Sequence, residues 1–251
     1  MSHEESAPPV PQRYRGVWVR SLLTTPSSRD HTTFVRWLQT SRWHADLRVP
    51  LEARPASPAL QQGFCGVTTV EVSDAAEVCR WHRRLDFQPP RPHPDAGRIV
   101  FDGTERLIET GVHADYLEVW ERLPGSTGRF AVLEASPGHA PTMLLVSGEF
   151  AMRVRPRRAT WPSDTTTADT LRDLVQRHPA AAPALLDFEI SFGRLAQGRL
   201  HIAQSSLPAL EGSDEACRIE RVTDDTVVMH GPAGATPWRV LEWDTEGLLL
   251  A

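Results

Sequence analysis

The chain has 251 residues, 40% of them apolar, and a formal net charge of −5, enough apolar material to bury one large β domain or two smaller ones. The acidic balance argues against a dedicated nucleic-acid or anionic-membrane surface, since both draw on excess basic charge. All 27 basic side chains are arginine, which excludes a Schiff-base lysine, a Walker-type phosphate lysine and a lysine general base.

The N-terminal stretch "MSHEESAPPVPQRYRG" lacks a basic region followed by an apolar one, and no run approaches the ~18 apolar residues of a membrane helix. Residues 1–13 read as a flexible tail and the protein as cytoplasmic. Next come "RGVWVRSLL", "TTFVRWLQT", "RWHADLRVP", "FCGVTTVEV", "EVCRWHRRLDF", "GRIVFDG" and "ERLIETG". Each is strand-length, and turn-rich segments such as "TTPSSRD" and "QPPRPHPDAG" separate them.

The stretch "IETGVHADYLEVWERL" can be read in two ways. As a helix it starts at an Asp115–Glu118 capping pair and places Tyr116, Val119, Trp120 and Leu123 on one face. As a strand it places Tyr116, Glu118 and Trp120 on one face and Leu117, Val119 and Leu123 on the other. The alternating context favours the strand, and "YLEVWERLPGSTGRFAVLEAS" resembles a hairpin around a Gly-rich turn. A boundary is expected near residues 125–129.

A second alternating series follows: "FAVLEAS", "TMLLVSGEFAMRVRP", "LLDFEISFGRL", "GRLHIAQSSL", "CRIERVT", "TVVMHG" and "WRVLEWD". One helix interrupts it, "TADTLRDLVQRHP", with Leu171, Leu174 and Val175 on one face and Pro179 beyond its end. The expected fold is therefore all-β, with one unit over residues 14–125, a second over 126–251 and one short helix in the second half. Cys65, Cys79 and Cys217 lack zinc-like spacing and read as reduced, buried thiols.

"FVRWLQT", "HADLRVP", "IETG", "YLEVW" and "SFGR", in that order, resemble the fungal casein-kinase-interacting family of lipocalin-like double barrels and its bacterial relatives. The similarity runs from about Arg15 to Asp244. It implies two consecutive calycin-like antiparallel barrels and no established catalytic activity. The protein partner in the family's name is not carried over, and neither is any catalytic residue.

A candidate site follows from side-chain chemistry. One face of "EVCRWHRRLDF" carries Arg80, His82, Arg84 and Asp86; the other carries Cys79, Trp81, Arg83, Leu85 and Phe87. If the second face packs into a core, His82 and Arg84 line a cavity beside Tyr116, Glu118 and Trp120. If not, the charged face is solvated. "WHAD" and "VHAD" repeat a His-x-Asp step, so His44, His82 and His113, with Asp46 or Asp115, could approach as metal or haem ligands. The spacing requires no metal or cofactor, and none is expected.

There is no G-x-S-x-G elbow, G-x-G-x-x-G or P-loop. Catalysis would rest on a desolvated carboxyl group, Glu118 or Glu109, working with His82 or Tyr116, while Arg20, Arg36 or Arg84 anchors an anionic or carbonyl group. The ligand-binding candidates are Arg20, Arg36, His44, Arg84, His113 and Trp120. Three functions stay open: a barrel binding a small hydrophobic or conjugated molecule, a cofactor-free isomerase, cyclase, hydratase or lyase on the same cavity, and a protein-interaction scaffold. Neither nucleic acid nor membrane is an expected partner, and the oligomeric state is open.

Overall fold

The computed structural model describes residues 8–53, 57–72, 77–139, 141–232 and 234–244. The first sheet contains β1 (Gly16–Thr24), β2 (Arg29–Asp30), β3 (Phe34–Gln39), β4 (Trp43–Val49), β5 (Gln62–Val72), β6 (Glu77–Asp86), β7 (Asp95–Phe101), β8 (Arg106–Gly111) and β9 (Leu117–Arg122). All pairings are antiparallel, and β1 pairs with both β3 and β9, which closes eight strands into a barrel. The short β2 extends the end of β1. Closure leaves the eight-strand ring without a free edge.

The second sheet contains β10 (Phe130–Ala135), β11 (Met143–Ser147), β12 (Phe150–Arg155), β13 (Glu189–Ala196), β14 (Arg199–Ser205), β15 (Asp214–Ala216), β16 (Arg218–Arg221), β17 (Thr226–Gly231) and β18 (Gly234–Asp244). Its two outer strands are β15 and β16, which Cys217 alone separates in the chain. This kinked segment brings the two ends of the sheet together, so the second barrel is nearly closed.

The stretch around Glu118 is strand β9, but it is not half of a hairpin with β10. β9 pairs with β8 and β1, and β10 pairs with β11 and β18. The Gly-rich turn therefore passes from one sheet to the other. The hairpin expectation fails because β9 finds its second partner in β1, which completes its own barrel.

The expected helix is α1 (Leu171–Arg177), started by a capping box between Thr170 and Asp173. One of its free N–H groups, that of Leu171, donates to Gln88 Oε1 at 2.9 Å, from the other half of the chain. A second short helix, α2 (Ala182–Leu186), follows and buries Leu185. At five residues it is too short to show the helical periodicity that α1 shows.

Three apolar clusters hold the structure. One fills the first barrel, with Trp18, Trp37, Trp81 and Trp120 at its centre. Trp37 lies 6.3 Å from Trp18, 5.3 Å from Trp81 and 5.7 Å from Trp120 between ring centroids. Each such ring contributes about 4–6 kcal/mol of hydrophobic stabilisation before conformational entropy, for roughly 150–250 Å² buried. The second cluster fills the second barrel. The third lies between the barrels and joins outward residues of β3–β5, such as Leu38, Leu47 and Cys65, to Val132, Leu145, Met152 and Ile190.

Val10 is buried, and its N–H donates to the Ser41 carbonyl at 2.7 Å. The chain is thus docked on the first barrel within the stretch expected to be a tail; residues 1–7 lie outside the described residues. Between the barrels, Glu242 accepts hydrogen bonds from Thr40 Oγ1 at 2.6 Å, Ser41 Oγ at 2.9 Å and Ser41 N at 3.2 Å.

Candidate binding site

Strand alternation gives the first barrel an interior of two halves. Trp18 and Trp37 lead towards the sealed aromatic end. Further along the same inner faces come Arg20 on β1, Asp46 and Arg48 on β4, Arg83 on β6, Asp95 on β7, Glu109 on β8 and Glu118 on β9. All but Glu109 form ion pairs, in two neighbouring groups: one around Arg20 and Arg48, which lies 3.8 Å from Glu118, and one around Arg83. Arg20 pairs with Glu118 at 2.7 Å and Asp30 at 2.8 Å, Arg48 with Asp46 at 2.7 Å, and Arg83 with Asp95 at 2.7 Å and Asp86 at 3.0 Å. Arg48 and Arg83 also flank the Phe64 ring, at 5.5 and 3.7 Å from its centroid.

Glu109 is 3% exposed. It accepts from Tyr116 Oη at 2.7 Å and from Trp120 Nε1 at 3.1 Å. Burial, followed by the negative charges of Glu118 and Asp95, pushes its carboxyl well above the usual carboxylate range. Burial and the charge of Glu109 push the Tyr116 phenol up as well. Two glycines make room for the pair: a Cβ on Gly97 would lie 2.5 Å from Glu109 Oε1, and one on Gly111 would lie 2.6 Å from the Tyr116 ring.

Burial would also raise Asp95, but Arg83 and Arg48 outweigh it and hold Asp95 below its ordinary value. At Asp86 burial wins over Arg83 and the carboxyl is raised. Asp30 is brought down to about 2: its burial is overcome by hydrogen bonds from Thr33 and Thr32 and by the Arg20 charge.

The polar end opens into a cleft of about 970 Å³, near the top of the roughly 300–1,000 Å³ range of small-molecule sites. Arg48, Arg83, Asp95, Tyr116 and Glu118 line its floor, while Arg157, Trp161 and Phe188 come from the second half of the chain. Arg157 ties the two halves together, donating to the carbonyls of Leu185 at 2.8 Å, Asp86 at 3.3 Å and Phe87. Its guanidinium lies 4.0 Å from the Trp161 centroid, and burial lowers its pKa to about 10.

Of the sequence-derived candidates, Glu109, Tyr116, Glu118, Trp120 and Arg20 come together on this inner wall. His82 and Arg84 also line the cleft, but from the outer face of β6, where His82 contacts Thr69 Oγ1 at 3.0 Å and Arg84 stacks on Trp43 at 4.8 Å. Arg83 takes the inward position. Plain alternation with the inward Cys79 and Trp81 puts it there; a bulge follows, since β5–β6 pairing runs Cys65–Leu85 and then Gly66–Arg83, leaving Arg84 as the extra residue and reversing the inward parity beyond it. Asp86 therefore faces inward with Arg83, while Leu85 and Phe87 pack between the barrels. Gly66 permits this, since a Cβ there would lie 1.9 Å from the His82 carbonyl oxygen.

Arg36 also leaves the site. It points between the barrels and stacks on Phe34 at 4.2 Å and Phe192 at 5.7 Å. His44 is buried inside the barrel, with Nδ1 3.0 Å from Thr68 Oγ1 and no partner for Nε2; burial, then the charge of Arg83, lowers its pKa. His113 is exposed at the cleft rim, 6.0 Å from His93 between centroids. Buried core, outer face and rim thus hold His44, His82 and His113 on separate sites. Among the described residues, no group of three or more His, Cys, Asp or Glu side chains is placed to hold a metal ion.

Of the two carboxyl groups considered for proton transfer, Glu109 is the one bonded to aromatic side chains. Glu118 is paired with Arg20 instead. Sequence reasoning missed Arg48, Arg83, Asp95 and Arg157. For Arg48 a signal existed, because it shares β4's inward alternation with His44 and Asp46.

No family model matches the chain, and no curated protein sequence does. Among solved structures, the uncharacterized protein YLR301w from Saccharomyces cerevisiae is similar in fold, with a TM-score of 0.61 and 12% sequence identity over 92% of this chain and 99% of the yeast chain. At that identity the likeness shows a shared double-barrel fold. Among the described residues, no helix is long and apolar enough to cross a membrane.

Proposed function

We propose that the chain binds a small molecule in the cleft at the mouth of the first barrel. One observation carries this reading: a cleft of about 970 Å³ has a floor of buried, mutually paired arginines and carboxylates. Keeping such groups out of water is costly, and a purely structural barrel could fill the same space with apolar side chains. The tryptophan cluster occupies the deep interior, so the ligand sits at the mouth. The wall from the second half makes the site depend on both barrels.

A second reading rests on Glu109. A buried carboxyl with a raised pKa, hydrogen-bonded to a tyrosine on the cleft floor, suits proton transfer to a bound molecule. A cofactor-free isomerase, cyclase, hydratase or lyase acting on a small conjugated substrate is the enzyme class that chemistry fits.

We also read the chain as a relative of the lipocalin-like double-barrel family that its sequence resembles. Support comes from the motifs themselves: Val35 and Trp37, Asp46 and Arg48, Glu109, and Glu118 and Trp120 all lie on one inner wall. Three free, buried thiols suit a reducing compartment and support a cytoplasmic location.

Thermal-shift screening against a metabolite library tests the binding reading, because a ligand specific to the folded state raises apparent stability. The hit should lose its effect in Ala114→Trp, which places an indole on an exposed residue lining the cleft. A screen without hits, or hits that Ala114→Trp leaves intact, would remove the reading.

A further inference from the structure

The two sides of the cleft offer different groups to a ligand. In and behind the floor, the guanidinium groups of Arg20, Arg48 and Arg83 are bonded to five carboxylates, those of Asp30, Asp46, Asp86, Asp95 and Glu118. Asp86, Asp95 and Glu118 reach the cleft surface, which Arg84 and Arg91 also line. Two acceptor atoms also stay open among the described residues: the bonds to Glu118 engage Oε1 and those to Asp95 engage Oδ2. Glu118 Oε2 and Asp95 Oδ1 remain for a donor that enters the cleft.

The opposite wall offers a cation. Among the described residues Arg157 forms no ion pair, and its three nitrogens donate to main-chain carbonyls. A half-buried guanidinium bonded only to neutral oxygens keeps its full charge, and an anion reaching it would gain a charge-assisted contact. Burial lowers its pKa to about 10, and the charges of Asp86 and Asp187 offset only part of that effect. Between floor and wall lie apolar side chains, including Leu23, Pro92 and Phe188.

Resting on the binding reading above, we propose that the cleft takes a small zwitterion, with an ammonium or guanidinium group at Asp95 and Glu118 and a carboxylate at Arg157. A ligand carrying only an anion would leave Glu118 Oε2 and Asp95 Oδ1 without a donor. One carrying only a cation would leave Arg157 without a partner.

NMR titration of the full chain with three probes of matched length tests this: ε-aminocaproate, caproate and hexylamine. The zwitterion should bind about tenfold more tightly than either singly charged probe. Its methylene next to the ammonium should show NOEs to the Tyr116 ring, and its methylene next to the carboxylate to the Trp161 indole. Asp95→Asn should weaken ε-aminocaproate and hexylamine while leaving caproate unchanged; if this variant fails to fold, the NOEs on the unaltered protein decide the orientation. Equal or tighter binding of caproate or hexylamine, or reversed NOEs, overturns the inference and leaves the binding reading standing. Silence from all three probes overturns the inference too, and silence of the metabolite screen as well removes the reading beneath it.

Discussion

Gly97 on β7 lies so close to Glu109 on β8 that a methyl group in place of its hydrogen would sit 2.5 Å from the carboxyl oxygen Oε1. The glutamate lies over the neighbouring strand, and the missing side chain is what lets it reach Tyr116 and Trp120. Gly97→Ala should therefore overpack the site and cost about 1–3 kcal/mol. In a Glu109→Ala background the same substitution should cost far less, because the two positions are coupled. Urea unfolding of the four proteins in that cycle measures the coupling; an equal cost in both backgrounds would contradict the contact.

The raised pKa of Glu109 fixes the sign of a pH effect. A carboxyl that binds its proton more tightly folded than unfolded contributes stability that is fully present below its ordinary value of 4.5 and is lost as pH rises through the higher folded value. The stability difference between the unaltered protein and Glu109→Gln should therefore move in favour of the glutamine variant as pH rises above 4.5. Taking the difference cancels the other titrating groups. A difference independent of pH would show that Glu109 is ordinary.

Arg20 and Glu118 form a pair with side chains 6% and 4% exposed. Removing one member leaves a buried charge, at a cost of about 3–5 kcal/mol. Glu118→Ala should fall at the low end, because Arg20 keeps Asp30 at 2.8 Å. Adding Arg20→Met should recover part of the loss. Chemical denaturation reads both, and a single variant as stable as the unaltered protein would contradict the pairing.

Much of the barrel architecture was legible because strand alternation and turn residues recur along the whole chain. The inward face of β9 was legible too, since Tyr116, Glu118 and Trp120 share one side. β6 misled in two ways: the face of Cys79, Trp81 and Arg83 turns into the barrel, and a bulge at Arg84, which a single sequence does not announce, then turns Asp86 inward and Leu85 and Phe87 outward. Arg36 misled for another reason: both faces of β3 are buried, one in the barrel and one against its neighbour, so alternation could not say which was inside. The cleft's far wall was beyond reach, because Arg157 and Trp161 are brought to Asp86 and Phe87 by barrel packing alone.

Glu242 gives a test of how tightly the barrels are joined. Its carboxylate accepts two hydroxyls and one main-chain N–H from Thr40 and Ser41. Glu242→Ala would leave these buried groups without their acceptor and should lower stability by about 1–3 kcal/mol. Thermal unfolding of the variant checks this; an unchanged midpoint would mean that the clasp contributes nothing.

The proposed ligand lies in the cleft between the first barrel's mouth and the wall carrying Trp161. Indole N–H resonances of the labelled protein report on it directly, since Trp161 lines the cleft and Trp238 is buried in the second barrel. On titration with the strongest hit of the metabolite screen, the Trp161 indole should show a saturable shift with the Trp238 indole unmoved. A shift of Trp238 with Trp161 unmoved would contradict it.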